Sequence, residues 1–182
     1  MTKISKEQIA AWKEEYKDIY QLSSADGKVG YVFDPTAKFS VMKMIAAVTP
    51  NGQTAVTDAI LNNCWLGGDE EIRTIQAYKN ELDDQIDEIF NIPDYEIKEE
   101  PTHAVITSCG VSVKVRYPER TDLKDAEKRN KLHKPFDTNI YLLEALAMDD
   151  LTEIKKNNRV YLGVILCIRE VKQKLRLQIK KF

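Results

Sequence analysis

The chain has 182 residues, 43% hydrophobic and 31% charged, with a formal net charge of −2. This is the profile of a folded globular protein, and seven Gly and six Pro exclude collagen-like or low-complexity architecture. Cys64, Cys109 and Cys167 form no CxxC pair, and His103 and His133 have no thiol or carboxylate at ligand spacing, so neither a disulfide framework nor a metal site is expected.

Ser5, with Glu7 and Gln8 behind it, opens a helix to about Tyr16 that carries Ile4, Ile9, Trp12 and Tyr16 along one side. Charges spread through residues 1–20 leave no uninterrupted apolar core, so no signal peptide is expected. Two β-type runs, 18–24 and 28–33, are joined by Ala25-Asp26-Gly27. Asp-Gly between alternating runs signals a hairpin, because glycine tolerates the positive φ of a tight turn, and Pro35 ends the second strand. Helices are predicted over 37–48, with Phe39, Met42 and Ile45 or Ala46 inward, and over 54–66. In the latter, Val56, Ile60 and Cys64 form a stripe that Leu61 and Trp65 widen. Gly67-Gly68 reads as a left-handed cap. Asp69 reads as the N-cap of a further helix to about Phe90, with Ile72, Ile75, Tyr78, Leu82, Ile86 and Ile89 inward.

Residues 91–101 hold two Pro and four acids and read as a linker. Beyond them, 103–108 and 111–117 predict a second hairpin turning at Cys109-Gly110. Helices follow over about 122–133 and 138–148, and then a long one, capped by Asp149 or Asp150, from Leu151 to about Ile179. Its stripe is Val160, Val164, Cys167 or Ile168, Val171 and Leu175, although the apolar run 160–168 is also β-prone. That run is far short of the roughly 20 residues that span a bilayer, so no membrane contact is expected.

The small net charge conceals a division. Residues 1–99 hold 10 Lys and Arg against 18 Asp and Glu, a charge of −8, and residues 100–182 hold 17 against 11, a charge of +6. The halves also resemble one another. Gly27–Pro35 is similar to Gly110–Pro118, and Thr57–Ile72 is similar to Thr138–Ile154, at nearly constant offsets. The expected fold is therefore α+β, in two tandem modules each made of a β-hairpin and about three helices. An acidic module is expected over 1–95 and a basic one over 101–182, and the opposite charges invite self-association.

No glycine-rich phosphate loop and no Gly-x-Ser-x-Gly elbow occurs, and no catalytic or cofactor-binding residue is assigned. The acidic groups Asp69–Glu71 and Asp83, Asp84, Asp87 and Glu88 read as solvated faces. At helical spacing Lys172, Arg176 and Lys180 share a basic face. A solvated tail is the first reading of this stripe and a docking surface for an acidic partner the second. Nucleic acid is the weaker reading, because only Phe182 supplies an aromatic ring.

Ile4-Ser-Lys-Glu-Gln-Ile-Ala-Ala-Trp-Lys-Glu-Glu-Tyr16 leads into the first hairpin, and Ile60-Leu-Asn-Asn-Cys-Trp-Leu-Gly-Gly-Asp-Glu-Glu-Ile72 follows it. This order resembles the small tailed-phage and prophage proteins grouped as tail-assembly-chaperone-like. It covers about residues 4–90, and Cys64–Asp69 is its most specific part; Ala145-Leu-Ala-Met-Asp-Asp150 departs from it in the second half. The resemblance implies a non-enzymatic protein of virion morphogenesis in the bacterial cytoplasm. Its implied partner is the tape-measure protein, kept soluble until tail-tube subunits polymerise around it. Trp12, Trp65 and Leu66 are then the expected contact surface. A structural subunit of the tail or head–tail junction, retained in the virion, is the alternative. An accessory protein that binds a host protein or nucleic acid through the basic half is a third reading.

Overall fold

The computed structural model describes residues 4–172. The chain is α+β and divides into two compact units, Met1–Ile92 and Pro93–Phe182. Each holds one three-stranded antiparallel sheet with helices.

In the first unit, Ser5 caps helix α1 (Lys6–Tyr16), its side chain accepting from the Gln8 N–H at 3.2 Å. Strands β1 (Ile19–Ser23) and β2 (Val29–Phe33) form the expected hairpin, and Gly27 takes φ 84° in its turn. Helix α1 lies on one face of this hairpin. Tyr16 stacks on Phe33 with centroids 4.4 Å apart, and Trp12 tilts against Tyr31 at 5.8 Å. Helix α2 (Phe39–Val48) and helix α3 (Gln53–Asn63) supply the core through Met42, Ile45, Ile60 and Leu61.

The helix expected over 54–66 stops three residues early. Trp65–Gly68 forms strand β3, which pairs with β2, so Gly67-Gly68 is not a helix cap. The cause is local. Gly67 and Gly68 take φ 153° and 122°, and a Cβ on Gly68 would meet the Val29 carbonyl and stand 2.7 Å from the Gly30 Cα. Only glycine lets the two backbones approach this closely. Asp69 does not cap the next helix either. Its N–H donates to the Val29 carbonyl at 2.7 Å and its carboxylate accepts the Val29 N–H at 3.0 Å, closing the end of the sheet.

The single helix expected to reach Phe90 is three: α4 (Glu71–Thr74), α5 (Gln76–Asp83) and α6 (Ile86–Ile89). Ile75 breaks the run with an extended backbone, ψ 126°, and turns outward, 45% exposed, whereas Ile72, Ile86 and Ile89 are buried.

The second unit begins inside the segment that reads as a linker. Tyr95–Glu99 is strand β4, paired with β5 (His103–Ser108), which pairs in turn with β6 (Val111–Arg116). Glu96 and Lys98 flank Ile97 on the other face of this strand, and Ile97 lies opposite the fully buried Ile106. Cys109 and Gly110 both take positive φ, 48° and 78°, as a two-residue hairpin turn requires. Helix α7 (Arg120–Arg129) and helix α8 (Asp137–Leu146) follow, and then α9 (Thr152–Lys156) and α10 (Asn158–Cys167) where one long helix is expected, whose last part, with Leu175, lies outside the described residues. Asn157 makes the break: its backbone is extended, and its side chain accepts from the Arg159 and Val160 amides. Of the β-prone run, 160–167 is helical and Ile168 opens a 3-10 turn that ends at Glu170.

The two units follow one plan. The buried set Val56, Thr57, Ile60, Leu61 and Cys64 reappears 82 positions later as Thr138, Asn139, Leu142, Leu143 and Leu146. The same shift carries Ile72, Ile86 and Ile89 to the buried Ile154, Ile168 and Val171. Val32 pairs with Trp65, and its counterpart Val115 bridges Ala147. After that bridge the Asp149 carboxylate accepts the Lys114 N–H at 2.7 Å, as Asp69 serves Val29. The units differ at their leading ends, where one has α1 and the other β4.

Candidate functional site

The expected contact residues do not form one surface. Gly30 and Tyr31, consecutive on β2, face opposite sides of the sheet. The Trp65 ring lies against Gly30, its Cζ3 2.7 Å from where a Cβ would stand, whereas Trp12 packs on Tyr31 and Gly67. The two tryptophans are therefore on opposite faces, both half-buried, and Leu66 is half-buried in β3. Trp65 also carries the Arg73 guanidinium, 5.5 Å from its centroid. Each residue of Cys64–Asp69 that the resemblance singles out, apart from Leu66, has a packing or pairing task. Lys172 is exposed, and Arg176 and Lys180 lie outside the described residues.

What the first unit does offer is a cleft of about 280 Å³ between β1 and the helices α5 and α6. Tyr20, Leu22, Ile72, Leu82 and Ile89 give it an apolar lining, and Glu81 and Glu88 bring negative charge. Its hairpin end is tied by hydrogen bonds. Tyr78 donates to Asp26 at 2.6 Å and Ser24 donates to the other oxygen of the same carboxylate. Those bonds, Ser24's first, hold the Asp26 carboxyl below its ordinary value, and the bond to Asp26 raises the Tyr78 phenol. Lys28 and Glu71 pair at 2.7 Å, which raises the lysine and lowers the glutamate.

Cys64 and Cys167 are buried, and burial pushes both thiols up to about 12, so they pack as small apolar groups. Among the described residues no group of His, Cys, Asp and Glu could hold a metal ion, and no helix is long and apolar enough to cross a membrane. The arrangement is suited to holding an apolar segment in the cleft.

Sequence patterning did not point to this cleft, because its lining comes from four separate elements, β1, α4, α5 and α6. One signal was readable: at the 82-residue shift Glu81 stands opposite Gly163, a charge where the other half has no side chain.

The chain matches no family model, no curated protein and no solved structure.

Proposed function

We propose that the protein acts without catalysis in phage tail morphogenesis, as an assembly chaperone that holds apolar segments of the tape-measure protein in the bacterial cytoplasm. The cleft beside β1 carries this reading. It leaves Leu22 and Leu82 half-buried in the lining of an open hollow, in the half of the chain where residues 4–16 and 60–72 resemble that group. A small α+β unit with such a cleft can shelter a partner's apolar face from water.

The test is co-expression with a tape-measure protein that is insoluble alone. The wild-type chain keeps it soluble, and Leu22→Asp, which places a charge in the cleft at an edge strand, releases it to the pellet while the variant's own thermal melt stays cooperative. Insolubility with the wild-type chain, or equal solubility with Leu22→Asp, overturns the proposal. Recovery of the chain at high copy from purified virions would favour a structural subunit instead.

A further inference from the structure

Each hairpin has room for one more strand along its first arm, and the second unit shows that place filled. There β4 runs antiparallel along β5, with Ile97 opposite Ile106, and Tyr95 donates to Glu170 at 2.6 Å. The hairpins match residue for residue: Ile19 lies opposite Phe33 as His103 lies opposite Arg116, so Leu22 corresponds to Ile106. Ile106 is fully buried beneath its neighbours, and Leu22 is only half-buried.

In the first unit β1 is the edge of its sheet. The Asp18 carbonyl accepts from the Asp34 N–H and the Ser24 N–H donates to the Lys28 carbonyl. Antiparallel alternation then turns the backbone groups of Ile19, Gln21 and Ser23 away from β2, to the side on which β5 carries β4. Helix α10 closes on β5 because Gly163 lacks a side chain; a Cβ there would stand 2.9 Å from that of Ser108. At the 82-residue shift Glu81 stands for Gly163, and the cleft beside β1 is open. Glu88, the counterpart of the Glu170 that receives Tyr95, also lines it.

We infer that the cleft takes an extended segment of a partner protein as an added antiparallel strand on β1, a segment whose cleft-facing residues are apolar and basic. The filled place of the second unit supplies the backbone geometry: β4 bonds the outward groups of β5, and Gln21 and Ser23 offer the same groups on β1. It also supplies the order of side chains. Ile97 stands opposite Ile106, so the guest's apolar residue stands opposite Leu22 and beside Leu82. Tyr95, two positions before Ile97, serves Glu170, so the guest residue two positions before its apolar one reaches Glu88. Glu81 adds a second carboxylate where the other unit has Gly163, and two carboxylates beside an apolar floor call for Lys or Arg. Main-chain pairing along the exposed edge supplies affinity, and alternate side chains supply selectivity. The inference deepens the reading above and rests on the cleft as a binding surface.

Hydrogen exchange on the full chain tests it, with the synthetic peptide Thr-Lys-Thr-Leu-Thr-Val-Thr-Lys as the guest. At about ten times its Kd the peptide slows exchange of the Gln21 and Ser23 amides about tenfold. A peptide with Glu in place of both Lys leaves the wild-type chain unprotected and protects the Glu81→Lys, Glu88→Lys chain, which no longer responds to the Lys peptide. N-methylation of the two Thr that flank Leu removes donors of the added strand and abolishes protection. The inference is overturned by a Lys peptide that gives no protection, or by equal protection from the Glu peptide or the methylated one. Protection that rises with protein concentration in the absence of peptide overturns it too, because it would seat a second copy of the chain on β1. A chain that fails the solubility test above but is protected by the Lys peptide keeps this inference and loses the tape-measure partner; the opposite pair of results removes the added strand alone.

Discussion

Gly163→Ala sets two effects of opposite sign against each other. Gly163 lies inside α10, where alanine is intrinsically more favourable by about 1 kcal/mol. The added methyl, however, would collide with the Ser108 hydroxyl and stand 2.9 Å from the Ser108 Cβ and 3.3 Å from the Pro93 Cβ. Ser108 is 1% exposed and donates to the Asp94 carbonyl at 3.0 Å, so it has little room to retreat. Overpacking of this kind costs about 1–3 kcal/mol, and losing the buried hydrogen bond adds about 1 kcal/mol. The net expectation is destabilisation by about 1–3 kcal/mol. For a unit of this size it lowers the melting temperature by roughly 5–15 °C. Thermal melts followed by far-UV circular dichroism, with urea midpoints alongside, measure it. Ser108→Gly in the same chain relieves the collision, so the double variant is more stable than the sum of the single changes predicts by about 1 kcal/mol. A Gly163→Ala chain as stable as wild type, or more so, would refute the close approach of α10 to β5 and with it the explanation of why the other cleft is open.

The remaining predictions concern charge and thiols. Arg116 grips Asp122 through two bonds of 2.7 and 2.8 Å, and this pairing first, with the Glu119 N–H, holds the Asp122 carboxyl below its ordinary value. A lowered folded value means stability present above the unfolded pKa, about 3.9, and lost as pH falls through the folded one. Urea midpoints of Arg116→Gln should therefore fall less steeply than those of wild type between about pH 5 and pH 2, and parallel curves would count against the pair. Native alkylation at pH 8 should label Cys109, the exposed thiol, and spare Cys64 and Cys167, which react once urea unfolds the chain. Mass spectra showing two or three rapid labels on the native protein would contradict the burial of those two thiols.

Local events were legible in the chain alone. The Asp26-Gly27 and Cys109-Gly110 turns, the strands on either side of them, the Ser5 cap and the starts of α2, α3 and α8 follow from alternation and backbone preference, which act over a few residues. The repetition of one plan was legible too, because both halves must bury the same helix face, Ile60, Leu61 and Cys64 in one and Leu142, Leu143 and Leu146 in the other. The tertiary structure decided what depends on distant partners. Gly67-Gly68 looks like a helix cap until β2 is present to approach it, and Tyr95–Glu99 looks like a linker until Ile106 is there to pair with Ile97. The long helices expected from continuous apolar stripes break at Ile75 and Asn157, because a compact core is wrapped by short helices that change direction. The resemblance groups Trp12 with Trp65, and the sheet sets the two rings on opposite faces. Glu81 and Gly163 are 82 residues apart in sequence, and only the fold shows that Gly163 lets α10 close on β5 whereas Glu81 lines an open cleft beside β1.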